Sequence, residues 1–187
     1  MADWHYGHTV AQAREGIGPH RTGSLPVVTV GLTGAPVTTA GGLTVLPDVT
    51  LPQLKPSTSA MFLLSGSPDW DTEPESLAPM ASAAGILLDA GVPVAAIGGA
   101  TAGLAREGVL DHRDHTSSAP DYLLGTGYAG AGRYREQLAV TDVDLVTAGE
   151  PPRSSSPGRS WPGSTCSARA PSTPGTGCTP CTTRTPT

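Results

Sequence analysis

Short apolar runs rich in β-branched residues alternate with longer stretches whose apolar positions recur at helical spacing. Val27 to Leu32 reads as a buried strand. Pro36 to Leu46 holds Val37-Thr38-Thr39, then Gly41-Gly42, then Leu43-Thr44-Val45, the pattern of a small hairpin. Ala60 to Leu64 is a second apolar strand, ended by Ser65-Gly66-Ser67-Pro68. Leu77 to Ala90 reads as a helix, with Pro79 placed in a first turn, where a missing N–H costs no helical bond. Val92 to Ile97 is a third strand, and it runs straight into Gly98-Gly99-Ala100-Thr101, a tight turn opening a helix. Asp121 to Leu124 starts a short helix, and Ala139–Thr141 and Leu145–Thr147 are late strands around an Asp142–Asp144 turn. This alternation predicts an α/β fold with a mostly parallel sheet covered by helices on both faces.

Composition divides the chain at residue 150. Residues 151–187 contain no Leu, Ile, Val, Met or Phe, and Trp161 is their single large apolar side chain. Such a segment buries too little apolar surface to offset its ordering entropy, so the expectation is one domain over 1–150 and a disordered tail over 151–187. Four of the eleven basic residues and none of the sixteen acidic ones lie in the tail, leaving the body at −9. That balance argues against a nucleic-acid surface. No apolar run reaches the ~18–20 residues of a membrane span, and the N-terminus lacks a signal-peptide layout. The expected location is the cytoplasm. Cys166, Cys178 and Cys181 are all in the tail, so residues 1–150 hold no thiol.

In an open parallel sheet, ligands meet the carboxyl ends of the strands. Two such ends carry glycine: Ser65-Gly66-Ser67 and Gly98-Gly99-Ala100-Thr101. A sharp strand-to-helix turn lifts one side chain above the sheet and aims the next backbone N–H groups at a developing oxyanion. The same letters also fit a plain turn, and the residues alone leave both readings open. Cys178-Thr179-Pro180-Cys181 has redox or half-zinc spacing but only two ligands. His5 with His8, and His112 with His115, repeat an i, i+3 interval that would suit a metal only if the fold joined the pairs. No metal or cofactor is expected. Asp69, Asp71, Glu73 and Glu75 read as a solvated loop and helix start, with Trp70 as a partly buried anchor. Ser65 and Ser67 have no partner base set by the sequence.

The stretch from Gly91 to Asp111, containing Ile97-Gly98-Gly99-Ala100-Thr101-Ala102-Gly103-Leu104-Ala105, followed by His115-Thr116-Ser117, resembles the ThiJ/PfpI family. These are glutamine-amidotransferase-like relatives of intracellular proteases and amidases. The likeness runs over about residues 2 to 148. It implies a flavodoxin-like three-layer sandwich, often homodimeric, and a ligand of the small carbonyl or amide class. It also implies cysteine chemistry at the turn, with a glutamate on the first helix sharing the thiol's proton. Where the family reads Ile-Cys-Gly-Ala-Thr, this chain has Gly98. Where a glutamate follows Ala-Asp-Trp, this chain has His5. Both halves of the pair are replaced. The resemblance leaves backbone donors at Gly66, Ser67 and Gly99, with His115 nearby.

Two further departures concern the ends. In the family a full apolar strand precedes Ala-Asp-Trp, whereas this sequence opens Met1-Ala2-Asp3-Trp4, so a first strand and a C-terminal helix are expected to be missing. Loss of a central strand strips ladder partners from its neighbours at about 1–3 kcal/mol per unpaired buried group. Sliding the codon frame by one base across Arg153 to Arg159 permits Val-Glu-Phe-Ala-Arg-Glu, which fits the family's next helix and implies a frameshift near 148–152. Three functions follow: a cysteine-dependent hydrolase by ancestry, a non-catalytic binder at the vestigial pocket, or a degraded copy that scarcely folds. The missing thiol argues against the first, and the coincident defects at start, turn and tail favour the third over the second.

Overall fold

The computed structural model describes residues 1–16 and 23–150; the expected tail lies outside the described residues. Helix α1 (Asp3–Glu15) opens the chain and closes on Gly16 in the left-handed region, φ 66°. Four two-residue strands follow: β1 (Val30–Gly31), β2 (Val37–Thr38), β3 (Thr44–Val45) and β4 (Val49–Thr50). Then come β5 (Phe62–Leu64), α2 (Asp69–Thr72), α3 (Pro74–Asp89), β6 (Val94–Ile97), α4 (Gly99–Arg106), α5 (Pro120–Leu124), β7 (Ala139–Asp142) and β8 (Leu145–Ala148).

The main sheet has the order β5-β6-β8-β7. Phe62 lies opposite Val94, and Val94 opposite Leu145, both in parallel register. Only β7 runs antiparallel, joined to β8 through Val143-Asp144. Val143 sits at φ 54°, a conformation that a β-branched residue adopts only under strain. β1 pairs with β4 in parallel and β2 with β3 antiparallel, and neither pair is hydrogen-bonded to the main sheet. The hairpin read between Pro36 and Leu46 is therefore present.

The core is aliphatic. Ala81, Ala84, Leu87 and Leu88 bury one stripe of α3 against the sheet, as 3.6-residue spacing requires. Val94, Leu104, Leu110, Leu123 and Leu145 are fully enclosed, and each such side chain contributes about 1.5–3 kcal/mol of burial. Trp70 is 3% exposed, so it is an interior wedge rather than a partly buried anchor.

Two sequence expectations need correction. The Val27–Leu32 strand shrinks to Val30–Gly31, and Val28 is more than half exposed. At Thr29 the Asp48 carboxylate accepts both the N–H (2.7 Å) and the hydroxyl (2.6 Å), while the Thr29 carbonyl still accepts the Val49 N–H at 3.1 Å. α3 begins at Pro74, not Leu77, which moves Pro79 out of the first turn. Pro74 fills the tolerated first position, while Pro79 leaves the Glu75 carbonyl without its helical N–H partner.

Candidate functional site at the β6–α4 turn

The site grows from the end of β6. The Gly98 N–H donates to the Ala148 carbonyl of β8 at 3.0 Å, so the sheet pins the turn from one side. From the other side, Thr101 returns both its N–H (3.0 Å) and its hydroxyl (2.7 Å) to the Gly98 carbonyl. Gly98 itself has φ 59° and ψ −129°. That positive φ strains any residue with a Cβ, and glycine removes the strain along with any side-chain chemistry. The N–H groups of Gly99 and Ala100 open α4, where no helical carbonyl precedes them. They form the positive end of an eight-residue helix.

Two side chains converge on Gly98. A Cβ built there would lie 3.0 Å from Glu150 Cγ, 3.1 Å from Glu150 Oε1 and 3.2 Å from His5 Cε1. His5 stands in the first turn of α1, buried beneath the loop after β5. The Gly66 N–H donates to His5 Nδ1 at 3.1 Å. That bond makes Nδ1 the acceptor and places the ring proton on Nε2. Burial lowers the His5 pKa from its usual value, with the Glu150 carboxylate pulling the other way. Buried Nε2 has no hydrogen-bond partner among the described residues, and Glu150 Oε1 stands 3.7 Å away, beyond hydrogen-bonding distance.

The backbone donors read from the sequence divide. The Gly66 N–H is committed to His5 and offers nothing to a ligand, which corrects that expectation. Residue 66 must be glycine, since a Cβ there would meet His5 Cε1 at 2.6 Å. Ser67 and Gly99 both face an open cavity of about 300 Å³, whose other walls include Trp4, Asp71, Tyr122 and Glu150. The Ser67 hydroxyl donates to Asp69 at 2.7 Å. The Tyr122 hydroxyl donates to Asp71 at 2.7 Å, and burial, helped by Asp71, raises its pKa.

His115 is placed elsewhere. It is fully buried, with Nδ1 2.8 Å from the Arg113 carbonyl, Nε2 3.1 Å from the Tyr128 hydroxyl, and the rings of Tyr128 and Tyr134 edge-on. Both nitrogens are occupied and it does not line the cavity. Its contribution is to fix the segment that follows: Ser117 meets the Thr101 hydroxyl at 2.6 Å, and Ser118 reaches the cavity wall. No group of three or more His, Cys, Asp or Glu converges among the described residues, and the Cys178–Cys181 spacing lies outside them. Sequence reasoning missed Trp4, Asp71, Tyr122 and Glu150 as cavity residues. The one available signal was Trp4, which adjoins His5; the others come from three distant segments that only the fold joins.

The DJ-1/PfpI family model matches residues 1–156. The protein named uncharacterized protease YoaZ of Bacillus subtilis (strain 168) is 38% identical over 151 residues, covering 79% of this chain and 71% of that one. Among solved structures, a thiJ/pfpI family protein from Bacillus anthracis is 36% identical with a TM-score of 0.70, covering 80% of this chain and 71% of its own. The DJ-1 superfamily protein Atu0886 from Agrobacterium tumefaciens is 30% identical with a TM-score of 0.67, covering 79% and 76%.

Proposed function

The chain belongs to the DJ-1/PfpI family, and from that premise we propose that it keeps the family's flavodoxin-like scaffold without cysteine chemistry and uses the cavity at the β6–α4 turn to bind a small oxygen-bearing ligand. One observation carries this reading. The turn on which the resemblance places a thiol holds Gly98, and residues 1–150 contain no cysteine to take over. The second expected partner is a neutral imidazole rather than a carboxylate. His5 already holds a proton on Nε2 and accepts at Nδ1, so it has no free lone pair with which to deprotonate a thiol. What remains is recognition chemistry: the first-turn amides of α4 and a ring of side chains around an open cavity.

The test is a pair of proteins. The unaltered chain is expected to show no turnover on ester or amide substrates that iodoacetamide abolishes. Gly98→Cys with His5→Glu is expected to gain a thiol that alkylates rapidly below pH 8, because the α4 N-terminus favours the thiolate. Iodoacetamide-sensitive turnover by the unaltered chain would overturn the reading. So would a folded double variant whose introduced thiol reacts no faster than an ordinary one.

A second reading concerns the end of the domain. The composition changes at 150, which supports a reading-frame slip near 148–152. Resequencing the gene across that region tests it. An intact frame in independent isolates would remove it.

A further inference from the structure

We propose that the Ser65–Gly66 peptide is a proton-operated switch: protonation of His5 turns this peptide over, and the turn releases the Trp70 indole from the loop after β5. The device goes beyond the binding reading above and does not depend on which ligand the cavity takes. It starts from one peptide group with two duties. Its N–H, on Gly66, donates to His5 Nδ1 at 3.1 Å. Its carbonyl, on Ser65, accepts the Trp70 Nε1–H at 3.1 Å. Across a trans peptide the N–H and the carbonyl point in opposite directions. Turning the peptide therefore breaks both bonds together, and His5 and Trp70 are coupled through it.

Neutral His5 suits the observed arrangement, since an unprotonated Nδ1 accepts. A proton on Nδ1 makes it a donor, and two N–H groups then face each other across 3.1 Å. The ring has no space in which to escape. Its side chain is 1% exposed, the Trp4 indole stands edge-on to it, and a Cβ at residue 66 or 98 would lie 2.6 Å or 3.2 Å from Cε1. The peptide has a way to yield. Ser65 to Ser67 belong to no helix or strand. Turning the peptide changes ψ of Ser65 and φ of Gly66, and glycine takes either sign of φ readily. The turned peptide presents the Ser65 carbonyl to the imidazolium N–H, exchanging the neutral indole bond for a charge-assisted one. The Gly66 carbonyl belongs to the next peptide and keeps the Ala2 N–H at 2.8 Å, so the loop stays anchored while it turns. Ser67 lies in the cavity wall and Trp70 wedges against α4, so the change reaches both. The charges that act on the ring are the Glu150 carboxylate, 3.7 Å from Nε2, and the amino terminus at Met1. On α1 itself, Asp3 is engaged by the Gly41 N–H and the Tyr6 hydroxyl, and His8 is exposed. Neither Ser65–Ser67 nor the first turn of α4 carries an acidic or basic side chain.

The experiment is heteronuclear NMR of the full chain, titrated from about pH 8 to about pH 5, the range in which imidazoles change charge. The His5 Cε1–H, the Gly66 amide and the Trp70 indole N–H are expected to shift with one shared midpoint, while the amides of α3 stay in place. Burial, assisted by the amino terminus and opposed by Glu150, puts that midpoint below 6.5. His5→Asn sets an amide oxygen where Nδ1 stood, an acceptor that takes no proton. It is expected to hold the Gly66 and Trp70 signals fixed across the range. Glu150→Gln removes the charge that favours the imidazolium and is expected to lower the shared midpoint. A His5 ring that titrates while Gly66 and Trp70 stay still would overturn the inference, and so would a ring that never titrates. Gly66 and Trp70 shifts that persist in His5→Asn would assign them to another group and overturn it. Movement of the α3 amides at the same midpoint would mean global unfolding and overturn it as well. Should His5→Asn fail to fold, Glu150→Gln decides, and an unchanged midpoint there overturns the inference. Each of these failures leaves the binding reading standing, because no ligand enters the experiment.

Discussion

Trp70 and Gly103 make the sharpest test of how the loop after β5 is held against α4. A Cβ at residue 103 would lie 2.3 Å from Trp70 Cζ3 and 2.6 Å from Cε3, distances that no relaxed contact reaches. The indole has no room to retreat. It is 3% exposed, and its Nε1–H donates to the Ser65 carbonyl at 3.1 Å. For Gly103→Ala two effects oppose. Helix propensity favours alanine by about 0.8–1.0 kcal/mol in the middle of a helix. Overpacking in an enclosed site costs about 1–3 kcal/mol, and a contact this short belongs at or beyond the upper end. The expected net result is destabilisation by about 2 kcal/mol. In a Trp70→Val background the obstruction is gone, and the same substitution is expected to stabilise by up to about 1 kcal/mol. The coupling energy between the two positions is then about 2–3 kcal/mol, at the high end for residues in contact. Urea unfolding followed by far-UV circular dichroism measures all four corners of the cycle without depending on tryptophan emission. If Gly103→Ala stabilises the unaltered protein by the full propensity gain, the indole does not lie on α4 and the reasoning fails.

Two further outcomes are expected. Val143→Gly relieves a positive φ at an exposed hairpin position and is expected to raise stability by about 1 kcal/mol, visible as a higher urea midpoint with an unchanged slope. A lower midpoint would contradict the turn geometry. The His5 pKa is depressed in the folded state by burial, so its contribution is fully present above the unfolded value of 6.5 and is lost as pH falls below 6.5 through the depressed folded value. The loss is no steeper than about 1.4 kcal/mol per pH unit, the slope of one proton. His5→Gln is expected to flatten that part of the stability profile. An unchanged slope in the variant would exclude His5 as its source.

Much of the fold was legible because its elements announce themselves locally. Val94 to Ile97 is a β-branched and small-residue run bounded by Pro93 and Gly98, and α3 carries a clean apolar stripe. The late hairpin was readable from the two apolar triplets around Asp142–Asp144. The pairing of β1 with β4 was not, because two-residue strands are too short for period-two patterning and Asp48 captures Thr29 through side-chain bonds. The turn at Gly98 was legible as a turn, and the family resemblance supplied its meaning. The surroundings were less so. That the Gly66 N–H turns to His5 depends on the approach of α1 to the loop after β5, a contact between residues 61 apart. Glu150 looked like the last residue before a change of composition, and only the return of β8 beside β6 brings it to Gly98.

The arrangement of the sheets bears on how the protein behaves in a tube. β5 is paired with β6 on one edge, and no described strand pairs with the other. Its sequence neighbourhood, Ala60-Met61-Phe62-Leu63-Leu64, carries no charge and no proline to blunt that edge. An edge of this kind is a template for a strand from another molecule. Refolding yield should therefore fall with protein concentration, and a thioflavin signal should rise alongside it. Leu63→Lys, at the half-buried middle residue of β5, would act as a gatekeeper and extend the concentration over which the chain stays monodisperse.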